Sequence, residues 1–297
     1  RWNLDLNYGA NSSKVVKLDD EGLITSYQLY SSGIQILASV GEAYGTLFGT
    51  SYVRDANGNV VVDANGLPKI STTNKTLGKF TPDWTGGISN TFSYRSLSLS
   101  FLIDASVGGS IFSNTNKTGK YTGVLANTLS GRDAEHGGLW YYTAAMGNNV
   151  RLPESPSYSV SSDGLYYAQV NGQSTRVYQD GIMVEGVTES GSKNEEVVSA
   201  EKYYHRIYSI AEANVYDASY VKLREVALSY RLPRLWTQKL HLQEASVTLT
   251  GRNLWTIYKS VPNIDPESAL TTGNAQGVEA YSLPTTRSFG VNLSVKF

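Results

Sequence analysis

Apolar and polar residues alternate along several stretches of the chain, most regularly in the last one. Residues 285–297 read T-T-R-S-F-G-V-N-L-S-V-K-F. This two-residue period predicts a strand with one apolar and one polar face, and a tilted strand of about 9–11 residues can cross a bilayer. The core side of a soluble sandwich shows the same alternation, so both placements fit this segment. Its apolar positions are Phe289, Val291, Leu293, Val295 and Phe297.

The same alternation predicts further strands in residues 1–8, 86–107, 219–231 and 245–255. Residues 86–107 read as two strands of about ten residues that meet at a minimal turn. In residues 219–231 the apolar parity shifts, which predicts a β-bulge near residues 224–225. Short turns at one end and long connections at the other are typical of an outer-membrane barrel.

The two longest predicted connections are residues 108–217 and 259–284, far longer than ordinary loops. The longer one holds a possible helix at residues 122–129 and an aromatic run, Trp140-Tyr141-Tyr142. Aromatic rings with polar neighbours can stack on sugar faces, so this run is a candidate ligand platform. The alternative is that these three rings pack the loop or contact a lipoprotein.

Two smaller signals lie before residue 86. The tetrapeptide D-A-N-G occurs at residues 55–58 and again at 63–66. Asn-Gly favours type I′ turns, so the repeat predicts two such turns around a short strand at residues 60–62. Residues 34–40 form another possible strand.

Tryptophan marks the ends of the predicted strands. Trp2, Trp84, Trp236 and Trp255 lie at or just beyond those ends. The aromatic girdles of a membrane barrel lie at the same places, because indole prefers the headgroup level.

Composition narrows the function classes. Charged residues make up 17% of the chain and the formal net charge is -1, which argues against a nucleic-acid partner. Cysteine is absent, which excludes disulfides and thiolate metal sites. His136, His205 and His241 lack metal-ligand spacing, and no nucleophile motif is present. We therefore expect no enzyme activity, no metal site and no cofactor, and the acidic pair Asp265 and Glu267 is assigned to a loop turn.

Several motifs together resemble one family. Residues 220–233, Y-V-K-L-R-E-V-A-L-S-Y-R-L-P, and residues 247–255, V-T-L-T-G-R-N-L-W, resemble consecutive late strands of SusC/RagA transporters. These are TonB-dependent outer-membrane transporters of Bacteroidetes. The D-P-E at residues 265–267 and the chain end from Pro284 resemble the same family, in the same order. Two upstream stretches, G-T-L-F-G from residue 45 and G-K-F-T-P-D-W-T-G-G from residue 78, extend the resemblance along the chain.

The resemblance implies an all-β fold: the C-terminal portion, about seven or eight antiparallel strands, of a 22-stranded transmembrane β-barrel with long extracellular loops. Residues 1–297 would be that barrel segment, with 108–217 and 259–284 as extracellular loops and 285–297 as the terminal strand. The terminal apolar positions, ending in Phe297, would serve as the signal for outer-membrane assembly. Neither the family's plug nor its TonB box is visible in this sequence.

The implied function is active uptake of oligosaccharides or oligopeptides across the outer membrane of a Gram-negative cell. The expected partners are a SusD-like surface lipoprotein, outer-membrane lipid, the ligand, and TonB-ExbB-ExbD acting through a plug outside this chain. The alternative is a soluble carbohydrate-binding or adhesive β-sandwich module. The terminal strand distinguishes them, because its apolar residues would be buried in a sandwich and exposed to lipid in a barrel.

Overall fold

The computed structural model describes residues 1–153, 156–239 and 241–297. Within these residues the regular secondary structure is mostly β, with three short α-helices. The strands are β1 (Trp2–Ala10), β2 (Ser26–Ser31), β3 (Gln35–Ser39), β4 (Thr46–Gly49), β5 (Lys75–Lys79), β6 (Trp84–Tyr94), β7 (Leu97–Val107), β8 (Ser110–Ser113), β9 (Leu139–Thr143), β10 (Asn149–Arg151), β11 (Tyr158–Val160), β12 (Tyr166–Val170), β13 (Gln173–Ile182), β14 (Val198–Ser199), β15 (Val215–Asp217), β16 (Tyr220–Arg231), β17 (Glu244–Lys259), β18 (Val278–Glu279) and β19 (Ser288–Lys296). The helices are α1 (Asn114–Tyr121), α2 (Ala200–Tyr208) and α3 (Arg234–Lys239).

The long strands form one antiparallel sheet, which we call the wall. Its six strands follow the order β1-β6-β7-β16-β17-β19, so β1 and β19 are its outer strands. This number is close to the seven or eight strands expected. The predicted hairpin is present, and Arg95 closes its turn with a left-handed backbone, φ 54°. The predicted bulge is confirmed as well, because the register of β16 shifts between Leu223 and Glu225 against both neighbours.

The strand register places apolar side chains on one face of the wall and polar side chains on the other. One row of directly paired residues crosses all six strands and is wholly apolar: Trp2, Phe92, Leu99, Leu228, Leu249 and Val291. The neighbouring row, from β6 to β19, is wholly polar: Ser93, Ser98, Ser229, Thr248 and Asn292. Because successive side chains on a strand point to opposite faces, the wall has one apolar and one polar face.

The wall strands are joined by short connections at one end and long connections at the other. A tight turn joins β6 to β7, and residues 232–243 join β16 to β17. The first, second and third long connections, residues 11–83, 108–219 and 260–287, all leave the wall at the opposite end. We call the structure that they build together the connection layer.

The three long connections share one hydrophobic core. Ile36 and Phe112 have no exposed surface, and the second and third connections also pair as strands, β8 with β18 in parallel. Ion pairs join the first connection to the second, Arg54 to Glu212 at 2.8 Å and Arg206 to Asp63 at 3.0 Å. The core consists of Ile34, Ile36 and Leu47 from the first connection, Phe112 and Ala211 from the second, and Val278 from the third.

A buried carboxylate ties the third connection to the start of α1. Glu279 has no exposed surface and accepts hydrogen bonds from the hydroxyls of Ser113 at 2.7 Å and Thr115 at 2.6 Å. It also accepts a hydrogen bond from the backbone N–H of Thr115, in the first turn of the helix. A negative charge at a helix N-terminus is stabilised by the helix dipole and by free N–H donors.

Two local predictions need correction. The helix expected at residues 122–129 is wrong in position: α1 ends at Tyr121, and only a 3₁₀ turn, Ala126–Thr128, follows.

The D-A-N-G turns are present, but only their glycines have positive φ, so they are not type I′ turns. Instead the Asp55 carboxylate closes the first turn, accepting hydrogen bonds from the backbone N–H groups of residues 57 and 59. The short strand is a set of single bridges, and β3 confirms the strand expected at residues 34–40.

The repeated tetrapeptide gives a matched pair of variants. Gly58 and Gly66 both have positive φ, 88° and 77°, so alanine at either costs about 1–2 kcal/mol. A Cβ at Gly58 meets no atom within 4 Å, whereas at Gly66 it would lie 2.7 Å from Cβ of Glu196. We expect Gly66→Ala to increase amide hydrogen exchange and protease cleavage in residues 51–71 well beyond the effect of Gly58→Ala. Equal effects of the two substitutions in the whole protein would contradict this packing.

Candidate functional site

The apolar face of the wall is uncovered. Phe289 is 79% exposed, Val291 72% and Phe297 81%, and every member of the apolar row that crosses the six strands is exposed as well. A contiguous apolar patch of this extent marks a surface that contacts lipid or protein. In a sandwich these residues would lie against a second sheet, and no second sheet packs on them within the described residues. This exposure favours the membrane-facing placement of the terminal strand over the sandwich placement.

Tryptophans flank the apolar face at both ends. Trp2 and Trp236 lie at the end with short connections, and Trp84 and Trp255 lie toward the connection layer. Strand β6 has 11 residues, and the ten steps between them, at about 3.4 Å each and a tilt of about 40°, span about 26 Å of membrane thickness. That height matches the roughly 25 Å apolar band of outer-membrane barrels. Within the described chain, none of the helices is both long and apolar enough to cross a membrane.

An ion cluster holds the third connection against the polar face of the wall. Nζ of Lys222, on β16, lies 2.6 Å from Asp265 and 2.5 Å from Glu267, and Lys222 is only 3% exposed. Arg224 binds Glu267 and also Asp104 of β7, the latter at 2.9 Å. We call these five residues the ion cluster. It brings together two of the segments on which the family resemblance depends, the Y-V-K-L-R strand and the D-P-E triplet.

The carboxylates of the third connection are held in their charged forms. Burial alone would raise the pKa of Asp265, but hydrogen bonds from Lys222 and Thr285 outweigh it and lower that pKa to about 2. Burial likewise opposes ionisation of Glu267, and hydrogen bonds from Arg224 and Lys222 lower its pKa. Asp265 also accepts a hydrogen bond from the backbone N–H of Glu267 at 3.0 Å, as the loop turn assigned from the sequence implies. The acidic pair therefore shapes the turn and anchors it.

The predicted aromatic platform lies in a small sheet of the second connection, with strand order β10-β9-β13-β12-β11. Trp140 is 7% exposed and stacks on Tyr158 with ring centroids 4.9 Å apart. Tyr141 is 5% exposed and stacks on Tyr178 at 5.2 Å, while Tyr142 is half-buried. The three residues do pack this sheet, as the alternative held, and Tyr142 is the most accessible of them. Contact with a ligand stays a prediction.

The sequence did not reveal the ion cluster as a unit. In the sequence, Lys222 and Arg224 are basic residues of a predicted strand, and their partners Asp265 and Glu267 lie some forty positions later. A signal was nevertheless present, because two basic residues in a strand and two acidic residues in a loop each need a partner once buried. Among the described residues, no group of three or more His, Cys, Asp or Glu side chains could hold a metal ion.

Removing the positive charge of Lys222 from the ion cluster should release the third connection. Lys222→Met leaves Asp265 and Glu267 partly unpaired in a buried place, which costs about 3–5 kcal/mol. We expect much faster hydrogen exchange in residues 260–287, while the wall strands keep their protection. Arg231→Met is the matched control, because Arg231 lies on the same strand but forms an exposed pair with Glu244, 69% and 48% exposed.

Acid should release the third connection, as Lys222→Met does. The pKa of Asp265 in the folded chain, about 2, is below its ordinary value of 3.8. Its stabilisation is therefore fully present above about pH 4 and is lost as the pH falls toward 2. Unchanged protection factors in residues 260–287 at pH 2.5, or after Lys222→Met, would show that the ion cluster does not hold this connection.

Comparisons with known proteins agree with the geometry. No family model matches the chain. The TonB-dependent receptor P3 of Formosa agariphila is 25% identical over 325 aligned positions, covering 100% of this chain and 27% of that receptor. Structures of the RagAB peptide transporter and of the RagAB peptide importer in its closed-closed state cover the whole chain, with TM-scores of 0.53 and 0.52 at 16% and 17% identity. In both, the chain matches 27% of the length of the solved chain.

The solved structures share the fold, and the receptor shares sequence along the whole chain. The wall, its bulge and its long connections at one end are the features expected of a portion of such a barrel. The resemblance drawn from the sequence motifs is thus confirmed: along its whole length the chain is similar to a TonB-dependent receptor, and it spans about a quarter of that receptor's length.

Proposed function

We propose that this chain is part of an outer-membrane importer that takes up nutrients in a TonB-dependent manner. The observation that carries the proposal is the wall: an exposed apolar face, bounded by tryptophans, whose three long connections gather at one end. Such a sheet satisfies the backbone hydrogen bonds between its strands and presents apolar side chains to lipid, as a membrane requires. The receptor of Formosa agariphila and the RagAB structures support the same function.

The wall needs further strands to be stable in a membrane. Its outer strands, β1 and β19, each present one edge of backbone N–H and C=O groups, and a bilayer does not tolerate such an edge. We propose that the rest of the receptor supplies the adjoining strands and closes the barrel. The terminal strand, with Phe289, Val291, Leu293, Val295 and Phe297 on its apolar side, then serves as the assembly signal.

The connection layer is the proposed outer surface. Residues 108–217 and 259–284 lie at the end of the wall where long loops of outer-membrane barrels face the exterior. A SusD-like lipoprotein covers this surface in our proposal, and the ligand is an oligosaccharide or an oligopeptide. TonB, with ExbB and ExbD, supplies the energy by acting on a plug domain, so no covalent chemistry takes place on the ligand. Trp140, Tyr141 and Tyr142 are the proposed aromatic contacts, and Tyr142 is the most accessible of the three.

The wall gives a direct test of the membrane placement. Thr248 and Leu249 are consecutive on β17 but lie on opposite faces, and the Thr248 hydroxyl bonds to that of Ser229 at 2.7 Å on the polar face. Leu249→Arg should cost about 2–4 kcal/mol, because arginine would meet hydrocarbon. We expect it to reduce the amount of folded receptor in the outer membrane, measured by heat-modifiable gel mobility. Thr248→Arg should assemble at near wild-type levels, and equal assembly of the two variants would argue for a soluble protein.

The uptake function is tested on the whole protein from its source membrane. We expect the isolated polypeptide to be several times larger than the 32.4 kDa of this chain and to co-purify with a lipoprotein.

Cells that carry a Tyr142→Ala receptor should take up its nutrient more slowly, with normal receptor levels, if Tyr142 contacts the ligand. Tyr230→Ala, a change on the apolar face of the wall, is the control. A soluble 32.4 kDa protein without a lipoprotein partner would refute the proposal.

A further inference from the structure

A cavity of about 710 Å³ lies between the first and second long connections. Small-molecule sites usually have volumes of about 300–1,000 Å³ and combine apolar walls with a few polar groups. This cavity has both, since Ile182 and Ile207 line it together with several polar side chains. The polar residues used below are Tyr52, Lys120, Tyr203 and Tyr204.

Lys120 brings a positive charge to the cavity without an acidic partner. Its Nζ donates hydrogen bonds to the carbonyl oxygen of Ala213 at 2.8 Å and to Oδ1 of Asn214 at 3.3 Å, and lies 5.2 Å from the ring centre of Tyr216. These partners are neutral, and no acidic side chain in the described ranges pairs with Lys120. Burial lowers its pKa to about 8, which shows that the ammonium is poorly solvated. An ammonium has three N–H donors, so one remains for a ligand.

Two tyrosine hydroxyls of the cavity are also available. The hydroxyl of Tyr204 is engaged with the carbonyl oxygens of Asn127 and Ser130, each at 3.1 Å. In contrast, the hydroxyls of Tyr52 and Tyr203 make no hydrogen bond to any other described residue. Burial raises the pKa of Tyr52 and that of Tyr203, so both are neutral donors at physiological pH.

The acidic groups around the cavity do not neutralise Lys120. Glu185 lines the cavity but is exposed, at the rim. Glu212, beside Tyr52, is engaged with Arg54 at 2.8 Å and with the backbone N–H of Tyr52 at 2.9 Å. The residues that line the cavity therefore include a cation without an acidic partner and two hydroxyls without a partner among the described residues, and these groups match an anion with several acceptor oxygens.

We infer that this cavity binds the carboxylate of a small ligand, with the ammonium of Lys120 and the hydroxyls of Tyr52 and Tyr203 as its donors. The carboxylate can belong to a sugar acid or to the C-terminus of a short peptide, and the apolar walls contact the body of either ligand. The site rests on the cavity alone, and only the identity of its ligand with the imported nutrient depends on the proposed function.

Binding is measured by calorimetry on the whole receptor in detergent with two pairs of probes. One pair is a uronic-acid disaccharide and the corresponding neutral disaccharide, and the other is a tripeptide and its C-terminal amide. We expect at least one carboxylate probe to bind about tenfold or more tightly than its neutral analogue, because charge-assisted hydrogen bonds contribute that much. Binding of the sugar acid alone, or of the peptide alone, identifies the source of the carboxylate.

Variants of α1 separate recognition from packing. Lys120→Met should weaken binding of the carboxylate probe about tenfold or more, with any faster hydrogen exchange confined to the residues next to Ala213 and Asn214, which lose its hydrogen bonds. Lys117→Met is the matched control, because Lys117 lies on the same helix but faces the ring of Tyr208, 4.3 Å from its centre, outside the cavity. The inference is overturned if no carboxylate probe binds in preference to its neutral analogue. It is equally overturned if Lys120→Met binds as the wild type does, or if Lys117→Met loses as much affinity.

Uptake assays test the carboxylate site and the proposed import function separately. Loss of probe binding in Lys120→Met with normal nutrient uptake shows a carboxylate site that is separate from import. Loss of both places the site on the import route. A receptor that binds the probe through Lys120 but imports nothing would refute the proposed function and leave the site intact.

Discussion

Backbone pairing between adjacent wall strands is the constraint on which the rest of this structure depends. Once six strands are paired in a single register, the side chains of each row must share a face. A slip of one residue in any strand would bring a polar row into the apolar face. The bulge at Leu223–Glu225 is the one place where β16 changes register against both neighbours, and Arg224 of the ion cluster is the extra residue there.

The connection layer depends on the wall in turn. The wall brings the starts and ends of three long connections to one end, and the layer then forms from segments that contribute a few residues each. Phe112, Leu47 and Val278 come from three different connections, so the core that they share cannot form from any one of those connections. Ionic contacts attach the layer to the polar face, where Lys222 and Arg224 hold Asp265 and Glu267. The cavity beside Lys120 is a product of the same arrangement, since two connections supply its walls.

The wall could be predicted from the sequence because each of its strands carries its own signal. Alternation located β6, β7, β16, β17 and β19, and the change of parity in β16 located its bulge. The layer could not be predicted in the same way. Strand β8 has four residues, and its partners β15 and β18 lie far along the chain, so its sequence alone has no periodicity to detect. Trp140 was recognised as an important residue, but its sequence could not show that Tyr158 and Tyr166 would enclose it.

The buried carboxylate of Glu279 has a consequence for the order of folding. Its partners Ser113 and Thr115 are separated from it by more than 160 residues, so closing this contact early would cost a large loop entropy. The pairing of β7, β16 and β17 shortens that path, because it brings both ends of the second connection and the start of the third together. The first turn of α1 therefore gains its anionic cap late, after strand pairing, and a nascent chain that ends before residue 279 cannot complete this helix terminus. In such a chain the connection layer would be the last part of the molecule to become ordered, and the part most dependent on synthesis being finished.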